Sequence, residues 1–168
     1  MPRLLVKITQ GKWFTDLPWL AAGELQAAAL FDLRFRDNRL SVWSIDDDFS
    51  NLSRVVAALA ANAPHSTIEV FDYVLIEKQS IVNIGTKIEK AEGGTPDHHA
   101  NKEWHYDLVE LSATKIVEVA HLIREEADFV RVLAHEVKGF LTKGLQDRHI
   151  TIDGCAEKLR PALKKLID

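Results

Sequence analysis

The chain has 168 residues, of which 46% are hydrophobic and 27% are charged, and its formal net charge is −4. This length and composition predict a single globular domain, residues 1–168, and argue against a disordered chain. No continuous apolar run reaches the length that a membrane-spanning helix needs, so we expect no membrane contact.

The first half of the chain contains three strand patterns and two helix patterns. Apolar residues alternate over 4–8 and 40–45, and both alternating faces are apolar over 68–76, which is typical of a strand buried on two sides. An Ala/Leu-rich stretch over 20–31 and apolar spacings of three and four over 50–63 predict two helices. The turn signal at Asp37-Asn38-Arg39 separates the first of these helices from the second strand.

The second half is predicted to be mainly helical. A turn of helix over 80–85 and short strands over 87–90 and 129–133 accompany one long helix over Lys102–Ala127, whose apolar residues share one broad arc. Two closing helices, over 135–146 and 157–167, complete the chain. The sequence therefore predicts an α+β domain, in which a small mixed or antiparallel sheet from the N-terminal half is covered by helices and the C-terminus is helical.

The segment from Asp97 to His105 is the first place where the sequence points to chemistry. Asp97, His98 and His99 follow the Gly/Pro-rich loop 92–96, and imidazole with carboxylate suits a transition metal. Adjacent histidines rarely ligate the same ion, and His105 is interpreted as a core histidine with a hydrogen-bond partner. A metal-binding protein or metal-assisted hydrolase built on these residues is the alternative interpretation of function.

Complete catalytic motifs are absent from the sequence. Cys155 is the only cysteine, no phosphate-binding loop or nucleophile elbow is present, and the zinc-protease pattern that begins at His135-Glu136 fails because Gly139 occupies the second histidine position. These absences favour a protein that is not an enzyme, and we expect no cofactor. A lone cysteine and the lack of a secretory leader predict a cytoplasmic location.

Aromatic residues concentrate in the first quarter of the chain. Trp13, Phe14, Trp19 and Trp43 are predicted interface residues, since aromatics are enriched at interface cores, and Trp43 is expected to be the most exposed. The opposite interpretation is that these side chains fill the core. The leading functional hypothesis is a non-catalytic interaction, accessory or regulatory protein of the immunity type, with a protein partner or as a homodimer.

The C-terminal quarter is basic, with eight Lys or Arg and five Asp or Glu over residues 129–168. Such a segment is compatible with contact to a nucleic-acid backbone or an acidic partner, although interleaved aromatic residues for base stacking are missing. The residues concerned are Lys138, Lys143, Arg148, Lys158, Arg160, Lys164 and Lys165. Packing against the protein's own acidic part explains the same pattern, so nucleic-acid binding is the weakest of the three hypotheses.

Overall fold

A six-stranded antiparallel sheet organises the computed structural model, which describes residues 3–15, 17–21 and 23–167. The strands lie in the order β4-β5-β2-β1-β3-β6. Their bounds are β1 Arg3–Ile8, β2 Leu40–Ile45, β3 Phe71–Glu77, β4 Lys87–Lys90, β5 His105–Val109 and β6 Asp128–Val132. Because every neighbouring pair is antiparallel, the sheet is antiparallel throughout and not mixed.

Seven α-helices accompany the sheet in the described part of the chain. They are α1 Ala27–Asp32, α2 Leu52–Ala61, α3 Lys78–Asn83, α4 His98–Glu103, α5 Ala113–Glu125, α6 Ala134–Gln146 and α7 Arg160–Lys164, with short 3-10 turns at Gln10–Lys12 and Glu157–Leu159. The helical C-terminus is confirmed, although its last helix is short.

Helices cover both faces of the sheet. Successive side chains of β1 point to opposite faces, so they belong to two different core clusters. Leu5 packs with α2, α6 and the C-terminal segment, whereas Leu4, Val6 and Ile8 pack with α1, α3 and α5. The two buried clusters lie on opposite sides of one sheet, which confirms the predicted α+β class. As predicted, β3 is buried on both sides, since Phe71 to Ile76 are all buried.

The predicted helix over Lys102–Ala127 is wrong, because this stretch contains the end of α4, all of β5 and α5. Trp104 follows α4, β5 then pairs with both β2 and β4, and α5 begins after Ser112, whose Oγ accepts a hydrogen bond from the Lys115 N–H. The apolar arc misled because Leu108 of β5 and Ile123 of α5 fill the same core. Since β5 and β6 belong to the second half of the chain, the sheet does not come from the N-terminal half alone.

Helices α2 and α6 form the closest helix pair of the fold, and they run antiparallel. Gly144 near the end of α6 lies against Ala57 of α2, with 3.9 Å from the position of its absent Cβ to the Ala57 Cβ. The small residues Ala57, Ala58, Ala60 and Ala61 let the two helices approach closely. One cavity opens at each end of this pair, and both bear on function. Among the described residues, no helix is long and apolar enough to cross a membrane.

Candidate functional site

Asp97 is buried and fully engaged by its neighbours. Its carboxylate accepts two hydrogen bonds from Arg54, at 2.6 and 2.9 Å, and a third from the Ala100 N–H at 3.0 Å, so that it caps α4. Burial acts to raise the pKa of Asp97, but these hydrogen bonds and the positive charge of Arg54 outweigh it and hold that pKa below its ordinary value. Asp97 is therefore a structural carboxylate, and its lone pairs are directed at protein donors.

The two histidines beside Asp97 do not converge with it on one point. His98 and His99 are both exposed, and the His99 ring packs edge-on against Trp104 with 5.2 Å between centroids. Among residues 3–15, 17–21 and 23–167, no group of three or more His, Cys, Asp or Glu side chains has a geometry that would hold a metal ion. The metal-site prediction for Asp97, His98 and His99 gains no support from this arrangement.

The Gly-rich loop before Asp97 is tightly held. Asn101 Oδ1 accepts hydrogen bonds from the Thr95 N–H and hydroxyl, and the Gly93 N–H donates to the Asn101 carbonyl. A Cβ on Gly93 would lie 2.9 Å from Trp43 Cη2 and 3.1 Å from His105 Cγ, so only glycine fits there. His105 is buried, with Nδ1 3.2 Å from the Ala91 carbonyl oxygen, and burial lowers its pKa.

The four predicted interface aromatics do not share a surface. Trp13 and Trp43 are 0% and 4% exposed, so the expectation that Trp43 lies on the surface is wrong: β2 is an inner strand and both of its faces are covered. Phe14 packs against Phe129 with 5.3 Å between ring centroids. Only Trp19 is strongly exposed, at 73%, and Phe31 of α1 is exposed at 83%.

The basic C-terminal residues are spread over α6 and the segments that follow it. Lys138 and Lys143 lie on α6, and both are exposed. Arg160 donates to the carbonyl oxygens of Cys155 and Asp153, at 3.1 and 2.7 Å, and so holds the chain before α7. The Cys155 thiol is buried, and burial raises its pKa to about 11, as expected of an unreactive structural thiol.

A site that the sequence analysis did not single out lies where the sheet opens beside Lys7. Strand β1 pairs with β2 only as far as Leu5 and Trp43, whereas it pairs with β3 as far as Ile8 and Asp72. Lys7 is on the side of the sheet that α2 and α6 cover, two residues after buried Leu5. The separation of β1 from β2 leaves space around its side chain.

Two adjoining cavities share Lys7, Ile8, Thr9 and Arg34 in their walls, and we call them together the Lys7 cleft. The first, about 290 Å³, lies between the α2–α6 pair and β3, and its apolar walls include Ala60, Ile68, Phe71, Val137, Leu141 and Leu159. The second, about 250 Å³, lies at the opening between β1 and β2, and its apolar walls include Val6, Leu33, Leu40, Trp43 and Leu59. A positively charged side chain thus stands at the junction of two cavities in which apolar walls predominate, although Glu69 and Asp72 also line the first cavity and Asp32 lines the second.

The Lys7 ammonium has no carboxylate partner within the described part of the chain. Its Nζ lies over the ring of Phe71, 5.1 Å from the centroid, and this cation–π contact is its one specific interaction there. Burial and the neighbouring charge of Arg34 lower the pKa of Lys7, against smaller opposite effects of Asp32 and Glu69. Because burial of a cation without an ion pair is unfavourable, the contact with Phe71 offsets only part of the cost of placing the Lys7 ammonium there.

The nearby carboxylates are engaged elsewhere. Asp32 accepts hydrogen bonds from Thr9, Lys12 and the indole of Trp13, at 2.5 to 3.0 Å. Asp72 accepts two from Arg131, at 2.7 and 2.8 Å, and one from the Gln10 N–H at 3.1 Å. Both carboxylates therefore hold local structure and form no ion pair with Lys7, on which Asp32 and Glu69 act only at longer range.

Arg34 is held in an uncommon backbone conformation at the rim of the Lys7 cleft. Its φ of 50° lies in the left-handed region, which side chains other than glycine rarely adopt. The predicted turn follows directly: Asp37 and Asn38, with φ of 52° and 58°, form a tight hairpin closed by two hydrogen bonds between Arg36 and Arg39. The guanidinium of Arg34 has no ion pair with a described residue, and because Arg34 is exposed its charge lies in solvent at the rim of the cleft.

Comparison of the chain with protein-family models, with curated proteins and with solved structures finds no match. The site must therefore be interpreted from its own residues. The sequence contains one signal of the Lys7 cleft. Lys7 is the charged residue of an otherwise mainly apolar strand, and it lies between Leu5 and Thr9 on the same face. Alternation alone does not tell whether such a residue is solvated or faces a cavity.

Proposed function

We propose that this protein is a non-catalytic ligand-binding protein, with a regulatory or accessory role, whose Lys7 cleft binds an amphipathic acid. The single observation that carries the proposal is the unpaired ammonium of Lys7 between two apolar-walled cavities. Pockets with apolar walls and a few convergent polar groups are the usual small-molecule sites of proteins. A cytoplasmic location is part of this proposal.

The chemistry of the walls defines the ligand class. Lys7 and Arg34 supply two positive charges, which suit a carboxylate head group, and the surrounding Ile, Leu, Val and Phe side chains suit an unbranched or aromatic body. Each cavity is at or below the lower limit of ordinary ligand sites, roughly 300–1,000 Å³. A monocarboxylate with a body of roughly six to ten carbons therefore fits the cleft better than a larger lipid.

Isothermal titration calorimetry with octanoate, octanamide and acetate tests this proposal. We expect octanoate to bind with one site per chain, and both octanamide and acetate to bind at least about tenfold more weakly, because one lacks the charge and the other the apolar body. Lys7→Met should weaken octanoate binding to a similar extent, whereas Lys7→Arg should largely retain it.

Lys143→Met serves as the matched control, since Lys143 is an exposed lysine of α6 that lines the cavity at the other end of the α2–α6 pair. Its affinity for octanoate should equal that of the unmodified protein. Absence of octanoate binding, or equal binding by the Lys7→Met variant, would overturn the proposal.

A second candidate function is self-association, which is favoured by the exposure of Trp19 and Phe31. Large exposed aromatics are costly in water and are enriched at interface cores, and two-fold dimers are the commonest oligomers. Light scattering coupled to size exclusion should then give twice the chain mass of 18.9 kDa, and a Trp19→Ser, Phe31→Ser double variant should give the single mass. A monomer at all protein concentrations contradicts this candidate.

A further inference from the structure

Lys7 differs chemically from the paired lysines of the chain. Lys12 lies 3.0 Å from Asp32 and Lys87 lies 2.6 Å from Glu110, so the ammonium form of each is stabilised by a carboxylate. Lys7 contacts the ring of Phe71 and the walls of its cleft, and the cation Arg34 acts on it more strongly than the carboxylates of Asp32 and Glu69. An amine in these surroundings loses its proton more readily than an ordinary lysine.

Deprotonated lysine in an apolar pocket beside a second cation is the activated nucleophile of proteins that bind carbonyl compounds. The cleft provides three parts of such a site: the Lys7 amine, space on two sides of it, and the permanent charge of Arg34. A carboxylate that pairs with Arg34 would bring the rest of the ligand against Lys7, because both residues line both cavities.

We propose that Lys7 Nζ condenses reversibly with the carbonyl group of an oxo acid, an aldehyde or ketone that also carries a carboxylate. This inference rests on the proposed function and narrows its ligand class. The carboxylate contacts Arg34, the carbonyl carbon meets Lys7, and the apolar body lies against the cleft walls.

The condensation is balanced without any further reactant. The nitrogen lone pair forms a bond to the carbonyl carbon while the C=O π electrons move to oxygen, which gives a carbinolamine. Loss of the hydroxyl as water then gives the imine, and both N–H hydrogens of the amine leave in that water. Nothing is oxidised or reduced, and hydrolysis reverses the step.

Protonation of the imine restores a positive charge at the same position. The groups that act on this charge are the same as for the ammonium: Arg34, Asp32 and Glu69 act on Lys7, and His65 and Asp72 line the first cavity. The imine thus keeps the charge of Lys7, and the carboxylate of the oxo acid adds one negative charge beside Arg34. The result is a covalent but reversible binding mode that needs no catalytic group besides Lys7.

Reductive trapping tests the inference. The folded full-length protein is incubated with 4-carboxybenzaldehyde and cyanoborohydride, which reduces imines to stable amines, and is then analysed by intact-mass and peptide-mapping mass spectrometry. We expect one early adduct, with the mass of the probe less one oxygen atom, on the peptide that contains Lys7. Labelling at Lys7 should rise with pH before that of Lys143, an exposed lysine whose labelling is the internal reference.

Three variants and one competitor sharpen the trapping experiment. Lys7→Arg keeps the charge but has no primary amine, so the early adduct should be lost while octanoate binding persists. Arg34→Asn, in which asparagine tolerates the left-handed backbone, should slow labelling by the acidic probe but not by benzaldehyde. Lys143→Met should label at Lys7 as the unmodified protein does, and octanoate should protect Lys7. Thermal melts establish that each variant is folded.

The outcomes separate this inference from the proposed function. If octanoate binds in a Lys7-dependent way but Lys7 labels no faster than Lys143, the imine inference fails and the binding function stands. If Lys7 labels first but octanoate neither binds nor protects it, the amine is reactive and the acid-binding function fails. If octanoate does not bind and Lys7 labels no faster than Lys143, the Lys7 cleft is not a ligand-binding site.

Discussion

A cavity of about 290 Å³ lies at each end of the α2–α6 helix pair. The two ends differ in whether the buried cationic side chain has a carboxylate partner. At the end where α2 begins, Arg54 and Asp97 neutralise each other through two hydrogen bonds, and Trp104 covers the guanidinium with 5.4 Å to its ring centroid. At the end where α2 finishes, Lys7 meets an aromatic ring and, within the described residues, no carboxylate.

Equal size means that volume does not distinguish the two cavities, whereas charge pairing does. A buried ion pair that is fully hydrogen-bonded fixes structure, and removing one partner leaves a costly unpaired charge. A cation that already lacks a partner carries that cost in the folded protein, and a ligand relieves it. The comparison therefore indicates a structural role for Arg54 and Asp97, whereas Lys7 is the residue on which the proposed ligand-binding function rests.

The largest expected effect is at the paired end. Asp97→Ala leaves Arg54 without its partner and removes the cap of α4, so we expect the free energy of unfolding to fall by about 3 kcal/mol. Asp128→Ala is the matched control, since its pair with Arg3 is exposed and should contribute less than about 1 kcal/mol. Urea denaturation measures both. Equal losses in the two variants would remove the structural role of Asp97.

The opposite sign is expected at the unpaired end. Lys7→Met removes a partly buried charge and keeps the apolar stem, so the free energy of unfolding should rise by about 1 kcal/mol, equivalent to about 2–4 °C in Tm. Octanoate binding should weaken at least about tenfold in the same variant. A gain in stability together with a loss of ligand affinity is expected when a functional residue is removed. A lower Tm in Lys7→Met would mean that the ammonium already has a stabilising partner.

The sequence predicted those elements correctly whose structure depends on local residues alone. The buried strand containing Tyr73 and the turn at Asp37-Asn38 follow from alternation and from the residues that tolerate positive φ. The prediction failed at Leu108, because strand and helix residues that fill one core give the same apolar arc when they are plotted as a single helix. Glu110, with φ of 56°, lies in the turn between β5 and α5, and its residue type gives no sign of a left-handed backbone.

The sites were harder to predict, because pairing between distant residues decides them. Asp97 looked like a metal ligand next to two histidines, but Arg54, 43 residues earlier, occupies its oxygens. Lys7 belongs to a predicted strand whose pattern shows no cavity, and the divergence of β1 from β2 places it in one. Sequence patterns report local geometry, whereas the state of a charge depends on which elements meet.

The free energy of unfolding should depend on pH differently at the two ends of the helix pair. At the Lys7 end, the expected change is below about 1 kcal/mol. Because the folded pKa of Lys7 is lowered, folding disfavours its charged form, and wild-type stability rises as pH increases from that pKa to the ordinary lysine value. The advantage of Lys7→Met should therefore vanish in alkaline solution. Denaturation of both proteins from neutral to alkaline pH measures this convergence.

At low pH, the stabilising contribution of Asp97 should be lost. Its folded pKa is lowered, so its stabilising contribution is present above the ordinary Asp value and is lost as pH falls through the folded pKa. The difference between wild type and Asp97→Ala should accordingly shrink only in strong acid. A Lys7→Met difference that stays constant into alkaline solution, or an Asp97→Ala difference that disappears near neutral pH, would reverse the assignment of the two ends.

The smallest expected effect concerns the backbone of Arg34. A left-handed φ of 50° costs a side-chain-bearing residue more than glycine, so Arg34→Gly should raise the free energy of unfolding by about 0.5 kcal/mol, despite the extra freedom glycine has in the unfolded chain. Arg36→Gly is the matched control, because Arg36 is also exposed but is not left-handed, and its free energy of unfolding should fall by about 0.5 kcal/mol. Octanoate affinity should fall only in the Arg34 variant. If both glycines act alike on stability and binding, the conformation of Arg34 serves the hairpin and not the cleft, and Lys7 alone carries the charge of the site.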